Sequence, residues 1–275
     1  MTAKNTSTKN PHAPEGQKGT VAFVGVGPGD PALVTTRVKE LLGRADVVAG
    51  DLEGLAPIVS AHVPAEAERL ELAEDSVTPA EAGRVLAKHA KDGKQVIRLY
   101  AGDPFVDGHA AEHVAAFVRH AVPFEVAPGL PLAAAVPAHA GIPLMTAKVR
   151  ESRIADLTAG EPDWSTFAEG NATLVLTGIQ DGLKEIASLL VKAGRDGSTP
   201  AAVTVNGTTT DQRTVDATLE TLAAEVKAAK LTGPYVLVVG SAVAQREKLS
   251  WFETKPLFGW RVLVPRTKEQ AGVLS

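Results

Sequence analysis

The tripeptide Gly-Asp-Pro occurs twice in this chain, each time just after a predicted strand, and this arrangement restricts the possible folds more than any other feature of the sequence. Gly29-Asp30-Pro31 follows the apolar run at 20–26, and Gly102-Asp103-Pro104 follows the predicted strand at 95–99. A short apolar run that ends near glycine is typical of a buried strand, and proline suits the first turn of a helix. Both places therefore predict a strand that turns into a helix, as in an α/β domain.

The same alternation of strands and helices continues along most of the chain. The predicted strands lie at 20–26, 45–49, 95–99, 124–127, 173–177, 201–205 and 234–240, and the predicted helices at 31–42, 79–91, 110–120, 182–193 and 219–229. A polar stretch at 147–170 separates two groups of elements. We therefore predict an N-terminal α/β domain at 20–145 and a C-terminal α/β domain at 146–250. Their two sheets should be mainly parallel or mixed and flanked by helices, with a ligand cleft between the domains.

The two ends of the chain differ from the middle. Residues 1–19 are polar and contain no apolar stretch, which predicts a disordered tail and no export signal. Residues 251–275 form a predicted linker followed, from Phe258, by a pattern typical of a new strand entering a new helix. This last segment is too short to bury a core. It is either the truncated start of a second module, the interpretation we prefer, or an appendage that packs on the preceding domain.

Composition excludes several classes of partner. The chain has 275 residues, 44% of them hydrophobic, which is enough for a substantial core, and its formal net charge of -4 favours neither nucleic acid nor an anionic membrane. No apolar run reaches the roughly 18 residues of a membrane span. Cysteine is absent, which excludes disulfides and cysteine-ligated zinc and fits the cytoplasm. His109 and His113 lack a recognisable set of partner ligands, so we predict no metal site.

The glycine-rich loop at 25–30 is superficially similar to a dinucleotide-binding fingerprint. The third glycine of that fingerprint would fall at Asp30, and a carboxylate at this place repels a pyrophosphate, which disfavours a nicotinamide-dependent dehydrogenase. S-adenosylmethionine is a sulfonium compound without phosphate, so it does not conflict with the acidic residue. The alternative is that Asp30 and Asp103 merely cap the helices that follow them.

Five blocks of the sequence, in order and at compatible spacing, resemble the uroporphyrinogen III C-methyltransferases, which are tetrapyrrole methylases. These blocks are VGVGPGDP at 24–31, GDPFV at 102–106, FEVAPG at 124–129, AGIPL at 140–144 and NGTTTDQR at 206–213. Five ordered blocks over residues 20–250 are far more specific than one glycine loop. The resemblance implies the two-domain tetrapyrrole methylase fold, with its active site in the interdomain cleft, and a homodimer.

The resemblance also implies a reaction and its residues. S-adenosylmethionine would donate methyl groups to pyrrole carbons of the small-molecule substrate uroporphyrinogen III, giving precorrin-2 without a metal. Asp51, after the second predicted strand, stands where the family has its proposed proton acceptor, although it can equally be an ordinary turn carboxylate. The segment from Phe258 is similar to the start of uroporphyrinogen III synthase, which implies a fused module. The implied cofactor-binding residues are Pro28, Gly102, Asp103, Val106, Pro131, Leu132 and Gly207.

Several positions depart from the family pattern. Pro131 and Leu132 replace the usual Thr or Ser and Ala, and the methionine expected near 176–178 is absent. Residues 69–75 contain no lysine, although the family has its proposed proton donor there. Tyr100 replaces the lysine of the usual Lys-Gly-Gly-Asp, and residues 107–111 read Asp-Gly-His-Ala-Ala in place of Phe-Gly-Arg-Gly-Gly, so two cations suited to a polycarboxylate substrate are lost. Lys148 and Arg150 could compensate. A second hypothesis is therefore a binding or scaffolding domain that keeps the fold but not the chemistry, serving the fused synthase.

Overall fold

The computed structural model describes residues 19–73, 76–107 and 110–260, which form two five-stranded sheets flanked by helices. The tail predicted at 1–19 falls outside these residues apart from Gly19. The strand and helix predicted near the C-terminus lie almost entirely beyond Trp260 and are likewise outside them. No helix within the described ranges is long and apolar enough to cross a lipid bilayer.

The first sheet is entirely parallel and has the strand order β3-β2-β4-β1-β5. Its central strands are buried along most of their length because helices cover both faces of the sheet, and even Arg98 within β4 is fully buried. The strands are β1 (Thr20–Gly25), β2 (Val47–Gly50), β3 (Glu68–Glu71), β4 (Gln95–Tyr100) and β5 (Phe124–Ala127). The helices are α1 (Thr36–Leu42), α2 (Ala56–His62), α3 (Pro79–Lys91), α4 (Ala110–Val118) and α5 (Leu132–His139).

The second sheet is mixed and has the strand order β6-β7-β10-β8-β9. Strand β6 pairs with β7 in parallel, and the other three pairs are antiparallel. The strands are β6 (Ser152–Asp156), β7 (Thr173–Ile179), β8 (Pro200–Val205), β9 (Arg213–Thr218) and β10 (Tyr235–Val239). The helices are α6 (Trp164–Phe167), α7 (Leu183–Lys192), α8 (Leu222–Ala228) and α9 (Arg246–Leu249). Two sheets flanked by helices, one parallel and one mixed, agree with the predicted fold class.

Helix α5 packs against the second sheet although its sequence follows the first. Its buried residues Ala133 and Val136 share a hydrophobic cluster with Val175 of β7 and Val238 of β10. Helices α7 and α8 cover the opposite face of the same sheet. The two sheets are therefore joined through α5 as well as by the chain that links them.

The pattern analysis missed three edge strands and the helices α2, α5, α6 and α9, and it placed the starts of α1 and α8 too early. Strands β3, β6 and β9 are polar and only partly buried, because each pairs with one neighbour only. Pro31 begins a 3₁₀ turn at Pro31–Leu33, and α1 starts at Thr36, where the Thr35 hydroxyl accepts a hydrogen bond from the Val38 amide. Edge strands and a local cap carry little hydrophobic signal, which explains the three missed strands and the early start predicted for α1.

An ion-pair network centred on the buried Arg246 anchors α9. Arg246 donates to both carboxylate oxygens of Asp216 on β9 and, at 2.6 Å, to Glu253 beyond the helix. It also donates to the carbonyl of Ala140 at the end of α5. Because Arg246 is only 8% exposed, its charge is compensated by these partners rather than by water.

We expect Arg246→Ala to lower the free energy of unfolding by about 3 kcal/mol, because it leaves the Glu253 carboxylate, whose side chain is only 15% exposed, without its cation. Urea denaturation followed by circular dichroism measures this change. Arg37→Ala is the matched control, because the Arg37–Glu125 pair is exposed to solvent on both sides and contributes little. Equal effects of the two substitutions would contradict the structural role of the network.

Candidate functional site

Three loops leave the carboxyl ends of the adjacent strands β4, β1 and β5 and meet backbone to backbone. The Gly27 amide donates to the Gly102 carbonyl at 3.1 Å, and the Gly102 amide donates to the Gly27 carbonyl at 2.8 Å. A Cβ atom at Gly129 would lie 2.1 Å from the Gly102 carbonyl oxygen and 2.5 Å from that of Gly25. The glycines are therefore required for the loops to approach, at the sheet edge where α/β proteins bind ligands.

Asp103 ties two of these loops together. Its Oδ1 accepts a hydrogen bond from the Phe105 amide at 2.9 Å, and its Oδ2 accepts one from the Gly129 amide at 3.1 Å. It does not cap α4, so the capping alternative is wrong for this residue. For Asp30 the alternative is right, because its carboxylate accepts from the Ala32 amide at 2.8 Å and caps the 3₁₀ turn.

Asp107 links the loop after β4 to the start of α5. Its Oδ2 accepts hydrogen bonds from the amides of Asp103 at 2.9 Å and Leu132 at 3.0 Å. Its Oδ1 is buried and has no hydrogen-bond partner among the described residues. Burial raises the pKa of Asp107 from 3.8 to about 6, the negative charges of Asp103 and Asp156 act in the same direction, and the two amide bonds oppose the shift. The sequence analysis treated Asp107 only as a replaced position and missed this role.

The turn at 206–212, from the second half of the chain, reaches the loops of the first half. A Cβ atom at Gly207 would lie 2.5 Å from a methyl group of Val136 on α5, and one at Gly29 would lie 3.3 Å from the Thr209 methyl group. Thr208 has a φ of 69°. The glycine turns that carry Pro28, Gly102 and Gly207 are thus brought together, as the resemblance implied.

Side-chain hydrogen bonds hold this turn in place. The Thr208 amide donates to Gln212 Oε1 at 2.7 Å, and Gln212 Nε2 donates to Glu253 Oε1 at 2.8 Å. Glu253 is in turn paired with Arg246. The turn is therefore connected to the network around α9, which nothing in the local sequence indicated.

The structure places the remaining predicted residues around the same edge. Asp51 follows β2 directly and is exposed, and its Oδ1 accepts from the Gly54 amide at 2.8 Å, as a turn carboxylate does. Val106 is 43% exposed in the loop after β4, whereas Pro131 and Leu132 form the start of α5. The role of Asp51 as a proton acceptor stays a prediction. One of its two carboxylate oxygens is already bound by the Gly54 amide.

The described histidines of interest pack against other side chains, and the two cations proposed as compensating are exposed to solvent. His113 is buried on α4 with its Nδ1 atom 3.0 Å from the Tyr100 hydroxyl, and His139 packs against Trp251. His109 lies outside the described residues. Within the residues that the structure describes, no group of three or more His, Asp or Glu is placed to hold a metal ion. Lys148 and Arg150 are exposed after α5.

The chemistry of these segments fits S-adenosylmethionine better than a phosphate-bearing cofactor. Three buried oxygens, Asp107 Oδ1, Thr177 Oγ1 and Thr208 Oγ1, have no partner among the described residues, and they lie on or beside the segments implied to contact the cofactor. The ionised carboxylate oxygen requires a hydrogen-bond donor, whereas the two threonine hydroxyls can either donate or accept. S-adenosylmethionine offers an ammonium group, an amine and hydroxyl groups, whereas a phosphate would face the carboxylates of Asp103 and Asp107.

A sequence profile described as Tetrapyrrole (Corrin/Porphyrin) Methylases matches residues 20–223. The chain belongs to the tetrapyrrole methylase family. This confirms the family predicted from the five sequence blocks. The match covers both sheets as far as α8, so it includes every predicted site residue.

Known relatives extend this picture. The chain is 38% identical over 251 residues to a siroheme synthase of Pseudomonas putida, a match covering 88% of this chain and 54% of the relative. It is 35% identical to the porphyrin biosynthesis protein HemD of Ruminiclostridium josui, covering 94% of this chain and 53% of the relative. This tetrapyrrole methylase chain therefore spans about half the length of the curated relatives it matches.

A solved structure confirms the fold. The structure of uroporphyrin-III C-methyl transferase from Thermus thermophilus, complexed with S-adenyl homocysteine, matches with a TM-score of 0.70 and 31% sequence identity. The match covers 82% of this chain and 99% of that one. The predicted arrangement of two sheets flanked by helices is thus that of a known tetrapyrrole methyltransferase.

We expect Gly129→Ala to lower the free energy of unfolding by about 3 kcal/mol, because the new methyl group would overlap two backbone carbonyl oxygens that cannot move independently. Chemical denaturation measures the loss. Gly43→Ala is the control, since a Cβ atom there meets nothing closer than 3.5 Å and the backbone is helical. A Gly129 variant as stable as the control would show that the loops are not packed as described.

Asp107 should make the stability of the chain depend on pH in a specific direction. Folding raises the pKa of Asp107 to about 6. The stability that the protonated carboxyl group contributes to the fold is therefore fully present below pH 3.8 and is lost as the pH rises through about 6. Thermal unfolding should therefore show that Asp107→Asn gains stability relative to the wild type between pH 4.5 and pH 7.5. A constant difference between the two proteins over this interval would contradict the raised pKa.

Proposed function

We propose that this chain transfers methyl groups from S-adenosylmethionine to pyrrole carbons of uroporphyrinogen III, giving precorrin-2. The observation that carries the proposal is the convergence of three turns, at 25–30, 101–107 and 206–212, at the carboxyl edge of the parallel sheet. The Thermus thermophilus protein with the same fold is a uroporphyrin-III C-methyl transferase, and the longer relatives act in siroheme and porphyrin biosynthesis by name.

The proposed cofactor site combines groups from both halves of the chain. Bound S-adenosylmethionine would supply a methyl group made electrophilic by its sulfonium charge. The residues that would hold it share a position on the converging loops and turns: Pro28, Gly102, Asp103, Val106, Pro131, Leu132 and Gly207. Because glycine backbones form much of this surface, the chain would position the cofactor mainly through amide and carbonyl groups.

The proposed substrate site lies beside these loops. Exposed hydrophobic side chains from the segments after β4, β5 and α5 offer an apolar surface suited to a macrocycle: Phe105, Val106, Leu130 and Met145. The exposed cations Lys148 and Arg150 follow the same segments and suit the carboxylates of the substrate. We assign the larger part of substrate recognition to this face.

Asp51 is the proposed proton acceptor. Methylation of a pyrrole carbon leaves a proton to be removed, and a carboxylate at the sheet edge can take it without any metal. One oxygen of Asp51 is bound by the Gly54 amide, which leaves Oδ2 as the atom that would accept the proton. Glu71, which accepts from the Leu52 amide at 3.1 Å, helps to fix the backbone of this turn.

The proposal extends to the whole protein in three respects. We propose that the chain acts in the cytoplasm, that it forms a homodimer like the proteins it resembles, and that a uroporphyrinogen III synthase module follows it. The last point rests on the resemblance from Phe258 onward.

The competing function is a scaffold domain that has lost catalysis, which the replaced residues at 107–111, 131 and 132 favour. Calorimetry with S-adenosylmethionine separates the two. We expect saturable binding in the wild type, whereas absence of heat at millimolar ligand would eliminate the methyltransferase proposal.

We further expect Asp51→Asn to lower the methylation rate by about 100-fold, which is the lower end of the rate reduction that loss of a general base causes. Binding of S-adenosylhomocysteine should be unchanged, because the asparagine oxygen can still accept from the Gly54 amide. Glu53→Gln, in the same exposed turn, is the matched control for loss of charge. Turnover of Asp51→Asn equal to that of this control would remove the assigned role.

A further inference from the structure

Asp107 has a carboxylate oxygen that its surroundings leave without a partner. Its Oδ2 already accepts from two backbone amides, whereas Oδ1 is buried and unpaired among the described residues. Gly102 is stacked against the same carboxyl group, since a Cβ atom there would lie 2.2 Å from Oδ2. The carboxylate is therefore fixed in place rather than free to turn toward solvent.

The acids around Asp107 have other commitments. Asp103 uses both of its oxygens to bind backbone amides. Asp156, at the end of β6, uses Oδ1 to accept from the amide and hydroxyl of Thr158 at 3.0 and 2.8 Å. Both carboxylates act electrostatically on Asp107. The first turn of α5, which also contacts Asp107, contains no titratable residue, and His109 lies outside the described residues.

A ligand group that satisfies Oδ1 must therefore meet two requirements. It has to donate a hydrogen bond, and it should carry positive charge, because the ionised carboxylate lies near two others. The sulfonium of S-adenosylmethionine is charged but has no proton to donate, and its hydroxyl and adenine amine groups donate but are neutral. Its α-ammonium group meets both requirements.

We propose that Asp107 Oδ1 binds the α-ammonium group of the methyl donor and so selects ligands that carry an amino-acid moiety. This inference rests on the proposed function and adds to it a specificity-determining residue. The position is phenylalanine in the family pattern that the chain resembles, and a phenylalanine ring cannot accept such a bond. The contact would therefore be a property of this chain.

The test compares two ligands that differ in the amino-acid moiety. S-adenosylhomocysteine contains the ammonium group, and 5′-methylthioadenosine has the same thioether nucleoside without it. Calorimetry at pH 7.5 should show that Asp107→Asn weakens binding of S-adenosylhomocysteine by about 10- to 100-fold, the effect of losing a hydrogen bond to a charged group. Binding of 5′-methylthioadenosine should change less than about 3-fold. Asp196→Asn, an exposed turn carboxylate before β8, is the matched control.

The outcomes distinguish a selective contact from a structural one. If Asp107 only holds the loop to α5, the substitution will weaken both ligands equally, and the proposal is overturned. If the wild type binds both ligands and Asp107→Asn binds each of them as tightly as the wild type does, the proposal also fails while the methyltransferase function stands. If the wild type binds neither S-adenosylmethionine nor S-adenosylhomocysteine, the proposed function itself fails.

A second measurement requires no variant. Protonation of Asp107 at pH 5.0 should remove the charge that attracts the ammonium group, so the wild type should prefer S-adenosylhomocysteine over 5′-methylthioadenosine about tenfold less than at pH 7.5. Neither ligand changes its own charge appreciably over this interval. An unchanged preference would overturn the proposal even if Asp107→Asn failed to fold.

Discussion

The contact between three glycine backbones, at Gly25, Gly102 and Gly129, is the constraint on which the candidate site depends. These residues end or follow adjacent parallel strands, and a methyl group at either Gly25 or Gly129 would overlap backbone atoms of the neighbouring loops. The close approach allows Asp103 and Asp107 to reach amides on the next loop and on α5. A binding edge assembled in this way is organised before any ligand arrives, because main-chain groups rather than mobile side chains form most of it.

Helix α5 carries this organisation from the first sheet to the second. Its first amide is held by Asp107, its middle contacts Gly207 through Val136, and its last residues receive hydrogen bonds from Arg246 and Trp251. Because small residues on α5 pack directly on the second sheet, the helix cannot shift without moving both groups of loops. The hydrogen-bonded network from Arg246 through Glu253 to Gln212 holds the turn at 206–212, which contains Gly207. The two halves therefore hold the candidate site at fixed spacing.

The sequence predicted the buried strands and the meeting of the glycine turns, but not the long-range polar contacts. Strand β1 is largely apolar and β4 is buried although it contains Arg98, and parallel topology places their carboxyl ends side by side. The two Gly-Asp-Pro copies show where pattern analysis fails. Both carboxylates accept from the amide two residues further on, but Asp103 also reaches Gly129, a partner that is distant along the chain. Local sequence is nearly the same in the two copies, so only the tertiary structure separates their roles.

Two of the buried charge systems among the described residues show how a scaffold differs from a candidate site. Arg246 and Glu253 lie in a network that pairs their charges within the protein, and this arrangement needs no ligand to account for it. Asp107 makes two amide bonds that an asparagine oxygen would make equally well, yet the chain has a carboxyl group whose ionised form is disfavoured by burial and by two neighbouring acids. Local conflicts of this kind are typical of functional sites, where stability is given up for binding. The negative charge of Asp107 thus has an explanation in ligand recognition that loop structure alone does not provide.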